Sequence, residues 1–178
     1  MLDAMLALFR EGVLEPTAQE IADRAGLSLR SVHHHFDDRE ALFIEVARRQ
    51  LDWMKPLLGD LELDVTACSF PTRLEAFVHA RCSMLERMTP TRRAVLLMIP
   101  SSPTARRGVA GLRRLKREQV QRIFAPELDG CLAHSEPLAA AAAVTSWSHW
   151  EELRGYQGLS IARAQRTVRA SVECILRP

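Results

Sequence analysis

Long apolar runs are missing from this chain. The longest, Leu138 to Val144, has seven residues, against the roughly 20 that a helix needs to cross a bilayer. No basic stretch leading into an apolar core opens the sequence, so secretion has no support. The expectation is a cytoplasmic protein with no membrane partner. Glycine is scarce, at 8 of 178 residues, and the patterns that surround a reaction centre are absent: no G-x-S-x-G, no P-loop, no H-E-x-x-H and no carboxylate pair with an evident site. Neither an enzyme nor a cofactor is expected. Cys68, Cys82, Cys131 and Cys174 lie far apart with no C-x-x-C pair, which argues against a zinc ribbon or a thioredoxin-like centre. They read as reduced core thiols; redox sensing would require an exposed, low-pKa thiolate. A strong excess of either charge is lacking too, with 24 Lys and Arg against 22 Asp and Glu and a net charge of +2. Hydrophobic residues at 47% and charged residues at 26% are ordinary for a folded globule of one domain or two.

What the chain does have is concentrated between Thr17 and Leu42. Thr17 and Glu20, three apart, make a capping box that starts a helix. Ile21, Ala22 and Ala25 supply its apolar stripe, and Gly26 sits where a left-handed residue closes it. After the turn Gly26-Leu27-Ser28, Ser28 caps a second helix, in which Val32 and Phe36 share a core-facing side. At about 100° per residue, Arg30 and His34 fall opposite Val32, with Ser31 and His33 on the flanks. Asp37 and Glu40 repeat the capping pattern before Leu42, Phe43, Val46 and Ala47, so a longer helix leaves at once. Upstream, Leu2, Met5, Leu6 and Phe9 have the spacing of one more amphipathic helix. Four short helices around one small core are expected, with the geometry of a helix-turn-helix that reads duplex DNA. The His33-His34-His35 run is no metal site, because consecutive helical residues point about 100° apart and cannot close on one ion.

The stretch Leu2-Asp-Ala-Met-Leu-Ala-Leu-Phe9, the turn Ala22-Asp-Arg-Ala-Gly-Leu-Ser28, and Val32-His-His-His-Phe36 followed by Arg39-Glu-Ala-Leu42 resemble the N-terminal domain of tetracycline-repressor-type (TetR-type) regulators. The likeness covers roughly the first 50 residues, and more weakly the segment from Thr145-Ser-Trp-Ser-His-Trp150 through Gln157-Gly-Leu-Ser160. It implies that Thr17 and Arg39 hold phosphates and that Ser31 and His35 face the groove. Arg30 can reach a guanine edge, and Ser28 and His34 complete the expected DNA-contact set. His33 stands where the family typically has a phosphate-binding tyrosine. A histidine can gain charge near neutral pH, so DNA affinity is expected to depend on pH.

Charge complicates this picture. Residues 1–55 hold seven Lys and Arg against ten Asp and Glu, so attraction to phosphate must come from local placement and not from a bulk field. The family also tends to carry basic residues ahead of the first helix, whereas this chain opens Met1-Leu2-Asp3. Two expectations stay open: weak DNA binding, or a natural start upstream of Met1.

Beyond residue 50 the pattern is helical with proline and glycine punctuation. Pro56, Gly59 and Pro71 bracket a link, after which Leu74, Phe77, Val78, Arg81, Leu85 and Met88 predict one long helix, with Met84 on its shoulder. Pro90, Pro100 and Pro103 bound a short apolar segment from Ala94 to Ile99. Another helix is predicted from about Thr104 to Phe124, its Arg113, Arg114, Lys116 and Arg117 forming a solvated face with partners such as Glu118. Ser135 caps a segment carrying Leu138 to Val144, Trp147, Trp150 and Leu153; Gly155 and Gly158 punctuate the turn. Ser160 then caps a last helix with Ile161, Val168, Val172 and Ile175.

The fold class expected is all-α: a helix-turn-helix domain over residues 1–50, joined by a linking helix to a helical effector-binding and dimerisation domain over 51–178. Ala140, Val144, Trp147, Val168, Val172 and Ile175 are the expected dimer contacts, in a four-helix seam across a two-fold axis. Phe77, Met84, Met88, Met98, Trp147 and Trp150 are candidates for lining a cavity for an apolar or weakly polar effector. The expected function is a homodimeric regulator, a repressor released by such a ligand from a near-palindromic operator. The rival is a helical ligand-binding or adaptor protein that has lost DNA binding.

Overall fold

The computed structural model describes residues 1–36, 39–59, 65, 67–128 and 135–177; the side chains of 35, 36, 39 and 53–59 also fall outside the description. Among the described residues the secondary structure is helical, with no strand. The elements are α1 (Leu2–Arg10), α2 (Ala18–Ala25), α3 (Leu29–Phe36), α4 (Arg39–Gly59), α5 (Phe70–Met98), α6 (Pro103–Ile123), α7 (Glu136–Val144), α8 (Trp147–Glu151), a π-helical turn (Glu152–Tyr156) and α9 (Ile161–Leu176). The all-α expectation holds.

The helix ends follow the local chemistry closely. Thr17 and Glu20 form the full capping box, the Glu20 amide donating to Thr17 Oγ1 at 3.2 Å and the Thr17 amide to Glu20 Oε2 at 2.7 Å. Gly26 closes α2 at φ +64°, a conformation that a side chain resists. Ser28 caps α3 by accepting from the Ser31 amide at 3.1 Å, and Ser160 caps α9 by accepting from the Arg163 amide at 3.3 Å. Ser135 occupies the cap of α7, but its hydroxyl is buried and bonds nothing among the described residues. The cap expected at Asp37 lies outside the described residues.

Two helix boundaries differ from the sequence pattern. Pro90 does not end a helix, because α5 runs through it to Met98. Proline removes a single hydrogen bond, the one to Glu86 C=O, and buried Met88, Thr89, Thr91 and Ala94 hold the surrounding turns in place. Conversely, the segment carrying Leu138 to Leu153 is not continuous. Thr145 turns its hydroxyl back onto Ala141 C=O at 2.7 Å, and Ser146 caps a new helix by accepting from the His149 amide at 3.3 Å. Side-chain bonds of this kind compete with the helical ladder.

The chain forms two compact units. The first comprises Met1–Lys55 with Met88–Val109, the second Pro56–Arg87 with Ala110–Pro178. Where the sequence pattern suggests a line at residue 50, residues 88–109 thus associate with the N-terminal segment. The first unit has a core of Met5, Leu6, Leu8, Phe9, Ile21, Ala22, Val32, Leu42, Phe43 and Val46, joined by Ala94 of α5. The Phe9 and Phe43 rings lie 5.5 Å apart. In the second unit, Phe124 packs edge-on against Phe77 at 5.2 Å, and Trp150 Nε1 donates to Glu86 Oε2 at 2.9 Å.

Candidate nucleic-acid interface

The arrangement of α3 follows from one side chain. Val32 is 0% exposed, whereas Leu29, Arg30, Ser31, His33 and His34 are all exposed. A helix anchored at one position by a buried valine must turn its other faces outward. Arg30 is free of hydrogen bonds and ion pairs among the described residues, so its planar fork of donors is available to a base edge or a phosphate.

The neighbouring hydroxyls are partly committed. Ser28 and Ser31 share a bond of 2.9 Å between their oxygens, so Ser28 acts first as a helix cap. Thr17 Oγ1 donates to Glu20 Oε2 at 2.8 Å, and the backbone bond from Thr17, followed by this one, holds the Glu20 carboxyl below its ordinary range. The side chains of His35 and Arg39 lie outside the described residues.

Part of the positive charge of residues 1–55 is tied up internally. Arg24 pairs with Glu11 at 2.5 Å, Arg48 with Glu45 at 2.6 Å and with Asp52 at 3.2 Å, and Arg49 with Asp3 at 3.0 Å. Exposed pairs of this kind contribute little to stability, but they remove three of the seven basic residues from outside contacts. Arg30 stands on the exposed face of α3 with no such partner among the described residues.

Sequence patterning missed Leu27 and Leu29, which are 42% and 39% exposed beside Ser28 and Arg30. Leu29 lies off the core stripe of a short polar helix and Leu27 lies in the turn before it, and those placements are the available signal. Apolar groups there suit thymine methyls in a major groove.

The other expected sites are distributed differently. Phe77, Met84 and Trp150 are fully buried in the second unit, and Trp147 is half-buried there. Met88, buried, and Met98, half-buried, belong to the first unit. Of the expected dimer residues, Val168 and Val172 are 0% exposed within the single chain, so they pack in its own core and have no area to offer a second copy. Ala140, Val144, Trp147 and Ile175 are half-buried.

A short helix-turn-helix with a polar, outward recognition helix defines a DNA-binding class of fold. Residues 1–46 match the family model described as bacterial regulatory proteins, tetR family. The HTH-type transcriptional repressor KstR2 of Mycobacterium tuberculosis is 37% identical over 68 residues, covering 38% of this chain and 34% of the relative. KstR2 of Rhodococcus jostii is 42% identical over 53 residues, 29% of this chain and 26% of that protein. The matched stretch thus spans about a third of the curated relatives or less. No solved structure matches the chain. The likeness to tetR-family regulators is thus confined to the N-terminal segment of the chain.

Proposed function

We propose that the chain is a homodimeric transcriptional repressor that binds a near-palindromic operator and leaves it when a small apolar effector binds. The observation that carries this reading is α3, buried at Val32 and exposed from Leu29 to Ser31 and again at His33 and His34. On it, Arg30 and Ser31 read base edges, and Thr17, His33 and Arg39 hold phosphates, with Ser28, His34 and His35 beside them. The relatives are transcriptional repressors, which supports this reading. Residues 1–50 serve as the reading head and 51–178 as the effector-binding and dimerisation part. A dimer would set two recognition helices about 34 Å apart, one turn of duplex. The half-buried Ala140, Val144, Trp147 and Ile175 are the expected dimer residues with surface left to contribute.

Selection of bound sequences from random duplex tests the reading. A single two-fold-related motif is expected, and Arg30→Ala should relax one base position by about 1–3 kcal/mol. Indifference to every duplex at low salt would instead favour a helical ligand-binding protein without DNA activity, the reading that the acid excess of residues 1–55 supports.

A further inference from the structure

The second unit contains a buried cation that no described carboxylate meets. Arg81 is 2% exposed. Its Nη2 donates to Lys116 C=O at 3.2 Å and to Gln119 Oε1 at 2.6 Å, and its Nη1 to Thr145 C=O at 3.3 Å. The guanidinium lies 4.8 Å from the centre of the Phe77 ring, and Nε has no partner. Among the described residues no acid answers this charge. Two other arginines of the same unit do meet an acid: Arg73 pairs with Glu127, and Arg154 with Glu86 at 2.8 Å. Burial of an uncompensated guanidinium is costly, and that burial pushes Arg81 down to about 10.

Two of the groups that receive Arg81 also line a surface groove. This groove, of about 330 Å³, is bounded by Leu112, Leu115, Lys116, Glu118, Gln119 and Arg122 on one side of α6. Because Gln119 Oε1 is held by the guanidinium, its Nε2 is turned away as a donor, and it bonds no other described residue. Glu118 faces Arg114 at 3.8 Å, while Arg122, which meets no described acid, and the buried Arg81 behind make this end positive. One turn away Leu115 is 59% exposed, next to Leu112. The groove therefore joins an apolar strip to a positive, donor-bearing end.

We propose that this groove binds a medium-chain carboxylate, the alkyl tail lying on Leu112 and Leu115 and the anionic head meeting Gln119 Nε2 and Arg122, with Arg81 behind. The uncompensated cation and the exposed leucines are then two halves of one amphipathic site. This goes beyond the DNA reading and does not depend on it.

Calorimetric titration of the full chain with dodecanoate, below its micellar concentration and without DNA, tests the site. Saturable binding of one molecule per chain is expected, at least tenfold weaker in Leu115→Glu and in Arg122→Glu. Both positions are exposed, and circular dichroism would verify the fold of each variant. Dodecyltrimethylammonium, with the same tail and the opposite charge, should bind at least tenfold more weakly than dodecanoate. Absence of saturable heat, equal uptake of the two amphiphiles, or unchanged affinity in both variants would overturn the proposal. So would loss of self-association in Leu115→Glu, by sedimentation, with dodecanoate binding intact, since the groove would then be a contact between copies.

Discussion

Single residues set the local chemistry of the reading head, and there the sequence is most legible. Thr17, Glu20, Gly26 and Ser28 act within four positions of themselves, so spacing alone identifies their roles. Replacing Thr17 by Ala should cost about 1 kcal/mol, seen as a lower urea midpoint with unchanged slope. Phe9, 2% exposed beside Phe43, belongs to the other kind of residue. Its truncation to Ala leaves a void in a small core and should cost about 3–5 kcal/mol, enough to lower the population of folded head in the same measurement. Leu27 and Leu29 were not singled out from the pattern, because being exposed is a property of the packed neighbours and not of the leucine.

Elements respond to their weakest positions. α6 contains Gly108 and Gly111, each in open space and neither at positive φ, so Gly108→Ala or Gly111→Ala should raise stability by about 0.5–1 kcal/mol, measured as a higher denaturant midpoint. Gly26→Ala should do the reverse despite equally open surroundings, because φ +64° strains any residue with a Cβ. The boundary between the two compact units falls after Arg87 in α5 and after Val109 in α6, close to Pro90 and between the two glycines. Pro90 was read as punctuation because proline lacks a donor. That local rule loses to the burial of Met88, Thr89, Thr91 and Ala94 around it. Thr145 and Ser146 were read through for the opposite reason: their neighbours are good helix formers, yet their hydroxyls capture backbone groups.

At the scale of the whole molecule, stability should fall in acid in two stages. Burial holds the His149 imidazole below its ordinary 6.5, with Glu152 opposing. Below that value the unfolded chain takes up a proton that the folded chain resists, so stability declines as pH drops through 6.5. The hydrogen bond from Arg24 chiefly lowers Glu11, the backbone bond from Thr17 chiefly lowers Glu20, and the bond from Arg48 chiefly lowers Glu45. Their contribution is present above about 4.5 and disappears as pH falls below it. Thermal melts from pH 8 to 3 should therefore show a shallow loss between 7 and 5, absent in His149→Gln, and a second loss below 4.5. Equal pH dependence in the variant would assign the first stage elsewhere. Local spacing specifies the helical class, the caps and the outward face of α3, because each depends on residues within a turn or two. Long-range packing alone settled that residues 88–109 join the first unit, that Val168 and Val172 are spent inside the chain, and that Arg81 is buried with no acid among the described residues. Those outcomes depend on which distant surfaces meet, and burial and desolvation are collective properties that no short window of residues contains.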